Sequence, residues 1–160
     1  MTLLIVSIAM VAVTSVLSFG ITHQSDGLWQ ARAVSIADSY LEQILARRYD
    51  ENTPIGGVPA CSPLTVPCSS AANFDDGEPR AQFDDVDDFN GLLDVGALDE
   101  NGVALAGYER YTVAVEVAYP DAAQQAELGL ARFDDAKIVT VTITPPAESS
   151  LAFRVVRANF

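Results

Sequence analysis

The residues best suited to chemistry lie together in Phe83-Asp84-Asp85-Val86-Asp87-Asp88-Phe89-Asn90-Gly91. Asp84, Asp85, Asp87, Asp88 and Asn90 supply hard oxygen ligands of the kind calcium takes, so they are the candidate ion ligands. The spacing is not that of an EF-hand loop, which needs a Gly at its sixth place and a Glu at its twelfth. Two other roles stay open to the same residues. They can form a solvated turn in which Asp and Asn cap local backbone while Phe83, Val86 and Phe89 pin it down. They can also pair carboxylates for acid–base work.

Cys61 and Cys68 are the second constellation, set in a Gly/Pro/Ser-rich stretch. Two thiolates do not complete a tetrahedral zinc site, and His23, the only histidine, lies far off in sequence. A disulfide closing this short loop is the favoured reading, and it implies an oxidising compartment. Two unpaired thiols in a cytosolic loop are the alternative. No Ser–His pairing, HExxH, glycine-rich phosphate loop or redox CxxC occurs, so no catalytic residues and no enzyme activity are expected. No cofactor is expected beyond the candidate calcium.

The elements that must position these groups change along the chain of 160 residues. Residues 1–21 carry no charge, and a helix of that length spans about 31 Å, which matches a bilayer core. A transmembrane segment is therefore expected there. A buried core helix and a signal peptide are the alternatives, although no Lys or Arg precedes Arg32. Residues 22–49 continue helical periodicity, with Leu28, Ala31, Val34, Ala37, Leu41, Ile44 and Leu45 along one side and a bend at Gly27. Trp29 suits either an interfacial belt with His23 or packing on the sheet.

Residues 50–110 read as a long loop holding the Cys pair and the acidic motif, with short local elements at most. A connection this long needs a disulfide, an ion or a neighbouring subunit to anchor it. Residues 111–160 read as three antiparallel strands, over 111–119, 137–144 and 151–157, with a short helical turn near 122–130. Val113, Val115, Val117 and Tyr119 share one face, and Val139, Val141 and Ile143 share another.

The 22 acidic and 9 basic residues all follow Ile21, so the net charge of -13 belongs to the segment beyond the apolar run. Nucleic acid is an unpromising partner for so acidic a surface, as is attachment of the domain to anionic lipid.

The chain resembles the type IV pilins, and among them the MshD family of MSHA pilus biogenesis proteins. The resemblance rests on Met1-Thr2-Leu3-Leu4-Ile5-Val6-Ser7-Ile8-Ala9-Met10, on Ala37 to Ala46, on Phe83 to Gly91, and on Val155-Val156-Arg157-Ala158-Asn159-Phe160. The family's basic leader ending in Gly, and its glutamate near the mature N-terminus, have no counterpart in these residues.

The resemblance implies an α+β, pilin-like fold: a long N-terminal helix, membrane half plus amphipathic half, packed on a small antiparallel sheet. It implies a minor structural subunit of a type IV pilus, working by packing rather than chemistry. Ala9, Ala12, Ser15 and Gly20 are then the small residues for helix packing. Other pilins, pilus assembly proteins and inner-membrane lipid are the expected partners. The expected placement is single-pass in the inner membrane, with the C-terminal domain periplasmic or in a surface filament. A membrane-anchored extracytoplasmic binding domain, calcium-dependent through the aspartates, is the alternative.

Overall fold

A computed structural model of the chain describes residues 27–74, 77–146 and 149–159. Within them, helix α1 occupies residues 27–45. Its buried stripe is Ala33, Ile36, Ala37, Tyr40 and Ile44, whose spacing of three and four keeps them on one side. Asp38 and Glu42 lie on the solvent side. The stripe is rotated from the expected one, because Leu28, Val34 and Leu45 are exposed. The larger anchors Ile36 and Tyr40 take the core instead. The helix ends in a tightened turn, where the Arg47 N–H donates to the Ile44 carbonyl at 3.1 Å.

The sheet has four strands in the order β1-β2-β3-β4, every neighbouring pair antiparallel. They are β1 (Leu93–Val95), β2 (Thr112–Ala118), β3 (Ala136–Thr144) and β4 (Leu151–Ala158). Register places Val113 opposite Ile143, Val115 opposite Val141 and Val117 opposite Val139. On the other side of β3, Val139 faces Val155 and Val141 faces Phe153. A period of two thus builds one continuous apolar face, and the α1 stripe shares its core.

Between β2 and β3 lies helix α2 (Ala122–Leu128). Asp121 and Gln124 form a reciprocal capping box at its start, and Gly129 closes it in the left-handed conformation at φ 67°. This short helix buries none of its residues. Its caps, rather than packing, account for it.

Several expectations are corrected here. No helix among the described residues is long and apolar enough to cross a membrane. The described residues form a small α+β domain with an open sheet, so the pilin-like fold with its membrane-spanning rod is set aside. Helix α1, the longest described, carries Arg32, Asp38 and Glu42 and is the surface helix of a globular domain rather than part of a membrane-crossing rod. Single-pass placement in the inner membrane, with a periplasmic domain, loses the same support. The expected span of residues 1–21 and its packing residues Ala9, Ala12, Ser15 and Gly20 lie outside the described residues, as does His23.

The stretch 50–110 is less bare than expected. It holds strand β1 and three short 3-10 turns, at Ala71–Asn73, Arg80–Gln82 and Asp87–Phe89. The acidic segment docks against the end of α1 by main-chain pairing. Arg48 N–H donates to the Asp84 carbonyl at 3.2 Å, and Val86 N–H donates to the Arg48 carbonyl at 3.0 Å. Gly91, at φ 80°, then turns the chain so that its N–H reaches the Val115 carbonyl beside β1.

Candidate functional site

The strongest concentration of charge in the interior surrounds Lys137, a residue the sequence reading passed over. It occupies β3 in phase with Val139, Val141 and Ile143, so the same alternation that buries them directs it inward. Its side chain is 0% exposed. The ammonium donates to the Tyr49 carbonyl and to Asp50 Oδ2, each at 2.8 Å, and lies 2.5 Å from Asp87 Oδ1. The rings of Tyr49, Phe74 and Tyr119 enclose it, with centroids 4.3, 5.0 and 5.7 Å from Nζ. One cation therefore faces two buried carboxylates in an aromatic box.

The two carboxylates differ in environment. Asp50 accepts from the Asn52 N–H, the Ser69 N–H and the Ser69 hydroxyl as well as from Lys137. Burial pushes its pKa upward, but the Lys137 hydrogen bond and charge, with the two N–H donors, outweigh that and hold it below the ordinary carboxylate value. Neither oxygen of Asp87 receives a well-aligned hydrogen bond. Burial pushes Asp87 up to about 8 against the pull of Lys137. The phenols of Tyr49 and Tyr119 are raised too, chiefly by burial. Their hydroxyls donate to the carbonyls of Asp134 and Ser69, at 2.9 and 2.7 Å.

The five candidate ion ligands do not gather into one group, although Asp84 and Asp85 approach each other beside Glu51. Asp84 meets the Arg48 guanidinium. Asp85 Oδ1 accepts from the Asp87 and Asp88 N–H groups, and Asp88 Oδ2 accepts from those of Asp84 and Asp85. Asp87 turns to Lys137, while Asn90 Oδ1 takes the Val117 N–H of β2 at 3.0 Å. Burial, then the charge of Asp88, pushes Asp85 up to about 6. The carboxylates that do approach one another are Asp84 and Asp85 with Glu51, and Arg48 already bonds Glu51 and Asp84. The aspartates act here as a turn that caps itself and docks on α1.

A second buried cluster also escaped the sequence reading. The Tyr40 hydroxyl donates to Asp94 Oδ2 at 2.6 Å and accepts from the Leu98 N–H at 2.9 Å. Arg80 pairs with the same Asp94 oxygen at 2.5 Å and stacks over the Tyr40 ring. Burial, then the hydrogen bond to Asp94, pushes the Tyr40 phenol up to about 12. The signal was present, since Asp94 pairs with Val113 on the core side of β1 while Leu93 and Val95 face out.

Cys61 and Cys68 are joined as a disulfide, with Cα atoms 5.0 Å apart. The Asn159 amide donates to the carbonyls of Cys61 and Asp134, at 2.9 and 3.0 Å, tying the bridge to the chain just past β4. Around the bridge, Ile55, Val58, Leu64 and Val66 are exposed, Ile55 at 94% and Leu64 at 91%. Trp29 packs at the sheet end of α1, its ring 5.7 Å from that of Tyr111.

No family model matches the chain, and no match is found among curated proteins or solved structures. The resemblance to type IV pilins and to MSHA biogenesis proteins is accordingly withdrawn. It leaned on an N-terminal apolar run that lies outside the described residues and on an aspartate-rich motif that serves as a local turn.

Proposed function

We propose that this domain is a non-enzymatic structural subunit that works by docking onto another protein chain. The observation that carries this reading is the run of exposed apolar side chains along residues 55–66, Ile55 and Val58 before the bridge and Leu64 and Val66 inside the loop that Cys61–Cys68 closes. Apolar side chains grouped on a pinned loop have a free-energy reason to be covered. The segment is anchored where it begins, because Arg48 donates to the Glu51 and Thr53 carbonyls. The partner suited to it has an apolar centre and a basic margin, to match an overall charge of -13 and the acidic Glu51 and Asp84 nearby. The closed bridge supports residence in an oxidising compartment. The structural engagement of the buried carboxylates fits a role without catalysis.

Photo-crosslinking in the intact host tests this, with the reactive side chain at Leu64 and a control at Glu127 on α2. The expected result is a discrete protein adduct at Leu64, absent at Glu127 and lost when Ile55→Asp is added. Lipid adducts alone, or no adduct, would overturn the proposal. Calcium-dependent binding is the weaker alternative, because Arg48 already bridges Glu51 and Asp84. Calorimetric titration with calcium would favour it only if heat of binding appeared and vanished in Asp84→Asn, which removes a carboxylate of the group that approaches Glu51.

A further inference from the structure

Strand β4 forms one edge of the sheet, with β3 as its single neighbour. Which of its backbone groups face outward follows from the register. The Asn159 N–H donates to the Asp135 carbonyl at 3.0 Å, and these two residues stand opposite each other one step beyond the Ala136–Ala158 pair. Hydrogen-bonded pairs alternate along an antiparallel ladder, so Arg157, Val155, Phe153 and Leu151 are the residues that bond to β3. Ala152, Arg154 and Val156 turn both N–H and C=O away from it, and no partner meets those groups among the described residues.

Such a row is a template for a further strand unless something blocks it. β4 runs eight residues without a proline, and its register with β3 is unbroken, so no bulge twists the edge away. The side chains are incompletely covered in the same place. Leu151, Phe153 and Val155 pack on the core yet stay only partly buried, and Val156 on the opposite face is 45% exposed. Charge then restricts what can be added. β4 carries Arg154 and Arg157 and no carboxylate, in a chain of net charge -13. Arg154 is exposed and forms no ion pair among the described residues, although Glu127 of α2 lines the same shallow cavity. Arg157 donates only to the Arg47 carbonyl.

We propose that the free edge of β4 takes up an acidic, extended segment of another protein as a fifth strand. The backbone of that segment pairs with Ala152, Arg154 and Val156. Its aliphatic side chains continue the row of Leu151, Phe153 and Val155, and a carboxylate on its other face meets the Arg154 guanidinium. Like charge turns away a basic strand. It also disfavours a second copy, which would set the two arginines of each β4 beside those of the other while two molecules of charge -13 approach. This edge is a different surface from the run at residues 55–66, and neither needs the other in order to bind.

Amide exchange of the full chain, followed by NMR, tests this with a short capped peptide that alternates glutamate with valine. Before peptide is added, the amides of Ala152, Arg154 and Val156 should exchange fast while those of Phe153 and Val155 exchange slowly. The peptide should slow the first three. A peptide with lysine in place of glutamate should bind about tenfold more weakly. In Arg154→Glu the preference should reverse in favour of the lysine peptide. Val156→Pro removes an N–H that β3 does not use, so the sheet is kept and affinity for the glutamate peptide should fall about tenfold. Slow exchange at the three amides before peptide is added would overturn the proposal, as would no protection at about 1 mM peptide. Equal binding of the two peptides, or protection confined to other strands, would also overturn it. Protection that grows with protein concentration in the absence of peptide would overturn it in favour of a second copy.

Discussion

Asp85 shows how a residue can be charged by composition and yet be governed by its surroundings. It is buried, accepts two backbone N–H groups from its own turn, and has Asp88 beside it. Its pKa is raised from 3.8 to about 6, chiefly by burial. Between those values the folded state holds a proton that the unfolded chain has released, so stability falls as pH rises through that window. Asp85→Asn keeps an acceptor for both N–H groups but cannot titrate. Urea denaturation from pH 4 to pH 6.5 should therefore show a smaller loss of stability in this variant than in the native protein. Tyr40 gives a test of the second cluster. Tyr40→Phe leaves Asp94 and the Leu98 N–H each short of a partner in the interior, at a cost of about 1–3 kcal/mol. The midpoint of denaturant unfolding measures it. A change below about 0.5 kcal/mol would mean that water replaces the hydroxyl without penalty.

Helix α1 makes a contrast that the apolar residues alone did not decide. Leu28, Val34 and Leu45 fit one helical side by type, yet Ala33, Ile36, Ala37, Tyr40 and Ile44 are the buried ones. Ile36→Ala should cost about 2–5 kcal/mol through the cavity it opens. Leu28→Ala should stay within about 0.5 kcal/mol, because the side chain is already in water. Thermal unfolding of the two variants settles which stripe holds the helix down. The late strands were legible because alternation of Val and Thr with proline stops leaves few other choices, and Val113 to Ile143 pair in one register. Strand β1 was not, since three residues with an inward Asp94 carry no such alternation. The Cys61–Cys68 bridge was legible from spacing and context. The Lys137 cluster was not, although its position in phase with the valines was a usable signal. A lysine at the head of a strand reads as solvent-facing until its partners are known, and those come from residues 50 and 87. In the acidic motif the self-capping turn was legible among its open readings, since Asp85 and Asp88 each accept from two backbone N–H groups.

At the scale of the whole molecule, the charge of -13 acts on everything at once. Self-repulsion among surface carboxylates opposes compaction, and salt screens it over a distance of about 10 Å at 0.1 M. The melting temperature should rise as sodium chloride goes from about 10 mM to about 300 mM, where the screening length falls well below the size of the domain. A flat response, followed by calorimetry at pH 7, would mean that the acidic residues are spaced widely enough not to oppose folding. The buried Lys137 bears on mechanics as well. It joins Tyr49 and Asp50, in the segment that follows α1, to a central strand of the sheet. Tension pulling on α1 therefore reaches β3 directly, without passing along the loops between residues 50 and 110. Load applied there would be borne across the hydrogen-bonded strands, with the bridged loop tied in separately through Asn159.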